Sequence, residues 1–87
     1  MKAFKFIQNI PNHPAEQKLY ALSEPLEDFF FVVVSAVHSA FDTGRPETYI
    51  FGSDEKGEIL SWSELLGSEQ GIYDHEQVLN NAGYTKE

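Results

Sequence analysis

Hydrophobic positions are densest between residues 29 and 41, where three phenylalanines lead directly into three valines. Aromatic and β-branched side chains are typical of strands, so this segment predicts one. Over its first half both alternating faces are apolar, and a strand that is apolar on both sides needs a cover on both sides. Either the sheet curls onto itself, or the second face meets another chain.

Shorter patterns predict the neighbouring elements of this strand. Residues 2–10 begin with Phe4 and Phe6 on one side and Lys5 on the other, which is the period of two that a strand shows. Residues 47–52 and 58–66 predict two further strands. A turn at residues 53–57 joins them, and Gly57 is expected to supply its left-handed residue.

Two interpretations are open for residues 14–23. Proline is favoured at the first helical position, so Pro14 fits one helical turn over residues 15–17. Residues 18–23 then either continue that helix or form a second strand. We favour the strand, because Tyr20 and the approaching Pro25 argue against a long helix.

The last element carries the clearest local signal. Asp74 fits an N-cap with Gln77 three residues later, which is the spacing of a capping box. Tyr73 and Val78 have the spacing of a hydrophobic staple, and Gly83 is a natural stop. These positions predict a helix at about residues 75–82. We therefore expect one domain over residues 1–87 with an α+β fold: four or five strands in an antiparallel meander, a short C-terminal helix and one helical turn near residue 14.

Composition narrows the functional classes. The 87 residues include 14 acidic and 6 basic residues, for a net charge of −8, so non-specific binding to nucleic acid or to an anionic membrane is not expected. The absence of cysteine excludes disulfides and thiol catalysis. The longest apolar run is far shorter than the roughly 20 residues of a membrane helix. We expect a soluble, cytoplasmic protein.

Candidate catalytic groups are sparse. Ser35, His38 and Asp42 are ingredients of a hydrolase, but Ser35 and His38 differ in parity and should face opposite sides of their strand. Asp74, His75 and Glu76 are adjacent on a helix, so their side chains point in different directions. These patterns predict neither an enzyme nor a metal or cofactor site.

The acidic residues concentrate in the C-terminal half, where residues 47–87 carry nine acids and two lysines. Such a pole either keeps a small domain soluble or meets a basic partner protein. Trp62 lies within it and is either a half-buried strand residue, which we favour, or an interface anchor. The candidate partner-binding residues are Asp54, Glu55, Glu58, Trp62, Glu64 and Glu69.

Several short segments resemble uncharacterised short acidic proteins of phages and prophages: KLYAL at 18–22, VVVSAV at 32–37, ETYIF at 47–51, DEKGE at 54–58, WSEL at 62–65, DHE at 74–76 and AGY at 82–84. The resemblance implies an interaction protein that modulates host machinery. It also implies, as one option, an inhibitor of a defence enzyme of the anti-CRISPR or anti-restriction type.

Two functional hypotheses follow. In the first, carboxylates occupy the basic groove of a nucleic-acid-handling enzyme in place of phosphates, so the partner is a protein with a basic surface. In the second, the doubly apolar strand makes the chain a structural or oligomerising module, such as a virion or assembly component. The second hypothesis predicts a homodimer or a larger assembly.

Overall fold

A curled six-stranded sheet with one short helix is formed by residues 2–11, 14–39 and 44–87, which are the residues that the computed structural model describes. The elements are β1 (Ala3–Ile10), β2 (Glu16–Leu26), β3 (Phe29–Val37), β4 (Glu47–Ser53), β5 (Glu69–Gln70), α1 (His75–Asn81) and β6 (Thr85–Lys86). The order across the sheet is β5-β4-β3-β2-β1-β6. The sheet-rich α+β class expected from the sequence is confirmed.

The expected topology needs one correction. Strands β1 to β4 form the antiparallel meander, but the sheet is mixed because β6 runs parallel to β1, with Ala3 opposite Thr85 and Phe4 opposite Lys86. The chain leaves the sheet at β5, passes through α1 and returns at the opposite edge. This return adds two short edge strands, β5 and β6, to the four or five that the sequence predicts.

The helical turn expected at residues 15–17 is not formed. Glu16 and Gln17 already belong to β2, where they pair with Ala36 and Ser35 of β3. Gln17 is buried, so pairing and burial outweigh the local preference that Pro14 creates. The strand interpretation of residues 18–23 is confirmed.

The strand expected at residues 58–66 is also wrong. Ile59 makes an isolated bridge to Ser53, and the chain then bonds to two carbonyls of β4. Leu60 N–H donates to the Gly52 carbonyl at 2.9 Å, which also accepts from Ser61 N–H at 3.3 Å, and Leu65 N–H donates to the Ile50 carbonyl at 2.9 Å. The two carbonyls are two residues apart, but Leu60 and Leu65 are five residues apart. The surplus chain has to bulge away from the edge. We call this bulge, residues 61–64, the Trp62 loop.

The first face of β3 forms the main core with α1. Val32 and Val34 are fully buried there, and the N-terminal and C-terminal halves of the chain both contribute to the cluster. Its buried members are Phe4, Tyr20, Leu22, Leu26, Val32, Val34, Ile50, Leu65, Val78, Leu79, Ala82 and Tyr84. Burying each large aliphatic side chain contributes about 1.5–3 kcal/mol, so this face holds the helix on the sheet.

The second face of β3 is covered within the same chain. Val33 and its neighbour Leu19 on β2 are 0% exposed. The turn after β4 reaches this face, because a Cβ atom built on Gly57 would lie 2.9 Å from Ile10 Cδ1 and 3.7 Å from Leu19 Cδ2. Ile10 ends β1, so the turn after β4 meets a strand three positions away in the sheet, with β3 and β2 between them. The sheet therefore curls, and of the two alternatives for covering β3, the curled sheet is the one observed.

The helix ends largely agree with the sequence. Asp74 is the N-cap, and its Oδ1 accepts hydrogen bonds from the N–H groups of Glu76 and Gln77, each at 3.1 Å. The reciprocal half of the capping box is replaced, because the Asp74 N–H donates to the Thr48 hydroxyl oxygen at 3.3 Å, while the Gln77 amide donates to Asn81. The expected staple residue Tyr73 stacks on His38 instead.

The turn after β4 agrees with the sequence as well, because Gly57 has the expected positive φ, +90°.

The end of β3 differs from the sequence prediction. β3 ends at Val37, whereas the sequence predicts a strand to residue 41, and Ala40 and Phe41 lie outside the described residues. Asp42 also lies outside them. Among the described residues, no helix has the length and apolar character needed to cross a membrane.

Gly52 tests the packing of β4 against β3. A Cβ atom at this position would lie 2.4 Å from the ring of Phe29, so Gly52→Ala should lower the free energy of unfolding by about 1–3 kcal/mol through overpacking. Urea denaturation measures this cost. Phe29→Leu in the same chain should recover part of it. An alanine variant as stable as the parent would show that the ring does not rest on this glycine.

Asp74 tests the helix start. Asp74→Ala should cost about 0.5–2 kcal/mol of unfolding free energy, because it leaves two N–H groups of the first turn without their acceptor. Asp74→Asn is the matched control, since its side-chain oxygen still accepts. Equal thermal stability of the alanine and asparagine variants would refute the cap.

Candidate partner-binding surface

The six candidate residues come from one continuous stretch that follows β4. Three lie on the turn at residues 54–58, two on the Trp62 loop and one on β5. The loop and β5 both lie along the outer edge of β4, opposite the edge that β1 and β6 form. The structure thus brings Trp62, Glu64 and Glu69 to one edge of the sheet.

Trp62 is far more exposed than the favoured interpretation of the sequence allows. Its side chain is 65% exposed, so the half-buried reading is wrong. One contact anchors it: its ring centroid lies 5.2 Å from that of Phe51, with the planes tilted by 58°. The ring centroid of Phe51 in turn lies 6.2 Å from that of Tyr49, on the same face of β4. We call Tyr49, Phe51 and Trp62 the aromatic row.

Carboxylates border the aromatic row. The Tyr49 hydroxyl donates a hydrogen bond to the buried Glu47 carboxylate. Burial first, and then the bond to Glu47, raise the pKa of Tyr49, and the negative charge of Glu64 raises this pKa further. Glu64 itself is exposed and lies two residues from Trp62 in the sequence.

The other acids differ in what they do. Asp54 shapes its turn, because its Oδ1 accepts from the N–H groups of Lys56 and Glu58 at 2.9 Å each. Glu69 accepts from the Asn81 amide at 3.1 Å and so ties β5 to the end of α1. Glu55 and Glu58 are exposed on the same turn as Asp54. Of the acids proposed for binding, Glu55, Glu58 and Glu64 are the ones best placed to meet a partner.

A polar cluster of Glu16, His38, Tyr73 and His75 lies outside the candidate surface, and the sequence did not predict it. The Tyr73 hydroxyl donates to the Glu16 carboxylate, and the Tyr73 ring stacks on His38 at 3.9 Å with a 4° angle between planes. The buried His75 has its Nε2 2.8 Å from the Glu16 carbonyl oxygen, to which it donates. Shallow depressions of about 510 and 290 Å³ lie on the two sides of Glu16 and Tyr73. The members of this cluster come from three separate segments of the chain, at residues 16, 38 and 73–75, so no local spacing signals it.

The hydrolase ingredients stay apart. Ser35 is buried and accepts a hydrogen bond from the Gln17 amide at 3.5 Å, whereas His38 is exposed and stacks on Tyr73. The two side chains have different partners, as their opposite parity in the sequence predicts.

The polar cluster predicts a pH dependence of stability. The hydrogen bond from Tyr73 lowers the pKa of Glu16, and Glu16 in return raises the pKa of Tyr73 to about 12. A carboxyl group with a lowered folded pKa stabilises the fold above its ordinary pKa of 4.5 and loses that contribution as the pH falls through the folded value. Because Glu16 is exposed, the contribution should be about 0.5 kcal/mol.

Tyr73→Phe should therefore be less stable than the parent at pH 7, and the difference should narrow at pH 3. Tyr84→Phe is the matched control, because its hydroxyl donates to the backbone carbonyl of Glu24, a bond to an uncharged acceptor. Chemical denaturation at both pH values measures the two differences. If the Tyr73 and Tyr84 variants keep constant differences from the parent at both pH values, the bond to Glu16 makes no contribution.

Comparison with known proteins identifies neither a family nor a partner for this chain. The chain matches no protein-family model, no curated protein and no solved structure. The resemblance to short phage proteins stays a prediction. What the protein binds therefore has to be inferred from the chemistry of its own surface.

Proposed function

We propose that this chain is a small acidic interaction protein whose Trp62 loop binds a basic surface on a partner protein. The observation that carries the proposal is the 65% exposure of Trp62 in a chain of net charge −8, beside the exposed Glu64. A large exposed aromatic side chain on an acidic edge is typical of an interface anchor, since tryptophan is enriched among the residues that dominate binding energy.

The two components have different roles in binding. Carboxylates at the rim attract a basic partner over a distance set by the Debye length, about 8 Å at physiological ionic strength, and so accelerate association. The indole supplies the apolar area that slows dissociation once contact is made. Grooves that normally hold phosphates present the matching basic charge. The proposed partner class is therefore a nucleic-acid-handling enzyme, with inhibition by occupancy of its groove, including the defence enzymes that a phage protein would meet.

The second candidate, an oligomerising module that uses an apolar sheet face, has less support. Its motivation was the second face of β3, which needed a cover. Val33 and Leu19 on that face are 0% exposed within a single chain. A second copy is therefore not needed to bury them.

The test is affinity capture from a lysate of the source cells with four versions of the chain. Trp62→Ala should lose the partner, with affinity falling about 30-fold if the indole is a hot spot. The pair Glu58→Gln and Glu64→Gln should weaken capture. The matched control is Glu27→Gln with Glu87→Gln, which removes the same charge elsewhere. The two charge variants should fold as well as the parent, because exposed acids contribute little to stability.

The partner identified in this way is then measured in purified form. Its association rate should fall as salt rises for the parent and the control, and should depend less on salt for the Glu58 and Glu64 pair. A partner that binds equally well at low and high salt, and that tolerates both the Trp62 and the charge variants, would contradict the proposal.

A further inference from the structure

We infer that the Trp62 loop recognises an arginine side chain, whose guanidinium stacks on the exposed indole of Trp62 and donates to the carboxylate of Glu64. The inference rests on the proposed function and specifies the chemical group that the basic partner presents. It starts from the exposure of the indole: the Trp62 side chain is 65% exposed, and its ring contacts Phe51 at 5.2 Å between the ring centroids.

The ring is suited to a cation, and the two cation–π contacts among the described residues involve other rings. Tryptophan has the strongest cation–π attraction of the aromatic residues. The two such contacts within the described residues are Lys2 over Tyr84, at 5.6 Å, and Lys18 over Phe6, at 5.9 Å. Both involve β1 or its neighbours, at the edge of the sheet opposite to the Trp62 loop. Trp62 is thus left for an external cation.

The spacing of the aromatic row excludes an enclosed ammonium group. A cation held between two rings needs about 3.5–4 Å to each of them, and so a ring separation of roughly 7 Å. Phe51 and Trp62 are only 5.2 Å apart, and their planes are tilted by 58°. A ligand can therefore use the outer side of the indole but cannot enter between the rings.

A one-sided site of this kind favours arginine over lysine. The guanidinium is planar, so it stacks on a single ring and still directs its N–H groups sideways to a carboxylate. We assign that carboxylate to Glu64, which is exposed and lies two residues from Trp62 on the same loop. A lysine ammonium is more strongly hydrated than a guanidinium, so it loses more hydration when it contacts the indole.

The test uses the intrinsic fluorescence of the full chain, because Trp62 is its only tryptophan. The probes are two blocked octapeptides of equal charge, four Gly-Arg repeats and four Gly-Lys repeats, titrated at the same low ionic strength. The arginine peptide should change the Trp62 emission and should bind about 2–5-fold more tightly than the lysine peptide. Glu64→Gln should remove this preference. Glu87→Gln removes the same charge at the opposite edge of the sheet and should leave the preference intact.

Trp62→Leu, followed by calorimetry in place of fluorescence, should bind both peptides equally, and circular dichroism should show an unchanged fold. If the parent already binds both peptides equally in a salt-dependent way, and Trp62→Leu changes neither, the arginine inference is overturned while binding to basic partners stands. If neither peptide binds at low salt, the inference and the proposed function both fail.

Discussion

Burial of β3 on both faces is the constraint on which the rest of this structure depends. The strand is apolar on each side over Val32, Val33 and Val34, and all three are fully buried. One helix of seven residues can cover only one face. The other face is covered because the sheet curls and because the turn after β4 folds over it to reach Ile10 and Leu19. A chain of 87 residues thus closes both sides of its central strand without a second copy.

The candidate binding surface follows from how the chain leaves that turn. The chain has to return from the turn to the outer edge of β4, because Leu65 belongs to the core and bonds to Ile50 there. It has more residues for this return than the edge can pair, so residues 61–64 bulge outward and carry Trp62 into solvent. The exposed indole is therefore a consequence of covering β3. An exposed side chain of this size on an acidic edge is available for a partner.

Sequence patterns were sufficient where structure is local. The alternation in β1, the β-branched run of β3 and the cap at Asp74 each depend on residues close in the chain, and each prediction is confirmed. The two-residue strands β5 and β6 were missed because distant partners define them. Ile59, Leu60 and Trp62 predict a strand at residues 58–66, but the chain leaves the edge of β4 after Ser61 and bonds to it again at Leu65. The contacts of Glu16 with Tyr73 and His75 join positions nearly sixty residues apart, which no spacing rule detects.

Exposure of Trp62 in the free protein is the property on which binding by the Trp62 loop depends most directly. Acrylamide quenching of tryptophan emission measures it at this one position, since the chain has a single tryptophan. With the side chain 65% exposed, we expect the quenching constant of the folded protein to lie close to that of the urea-unfolded chain. A quenching constant several-fold lower than in the unfolded chain would mean a shielded indole and would contradict this account.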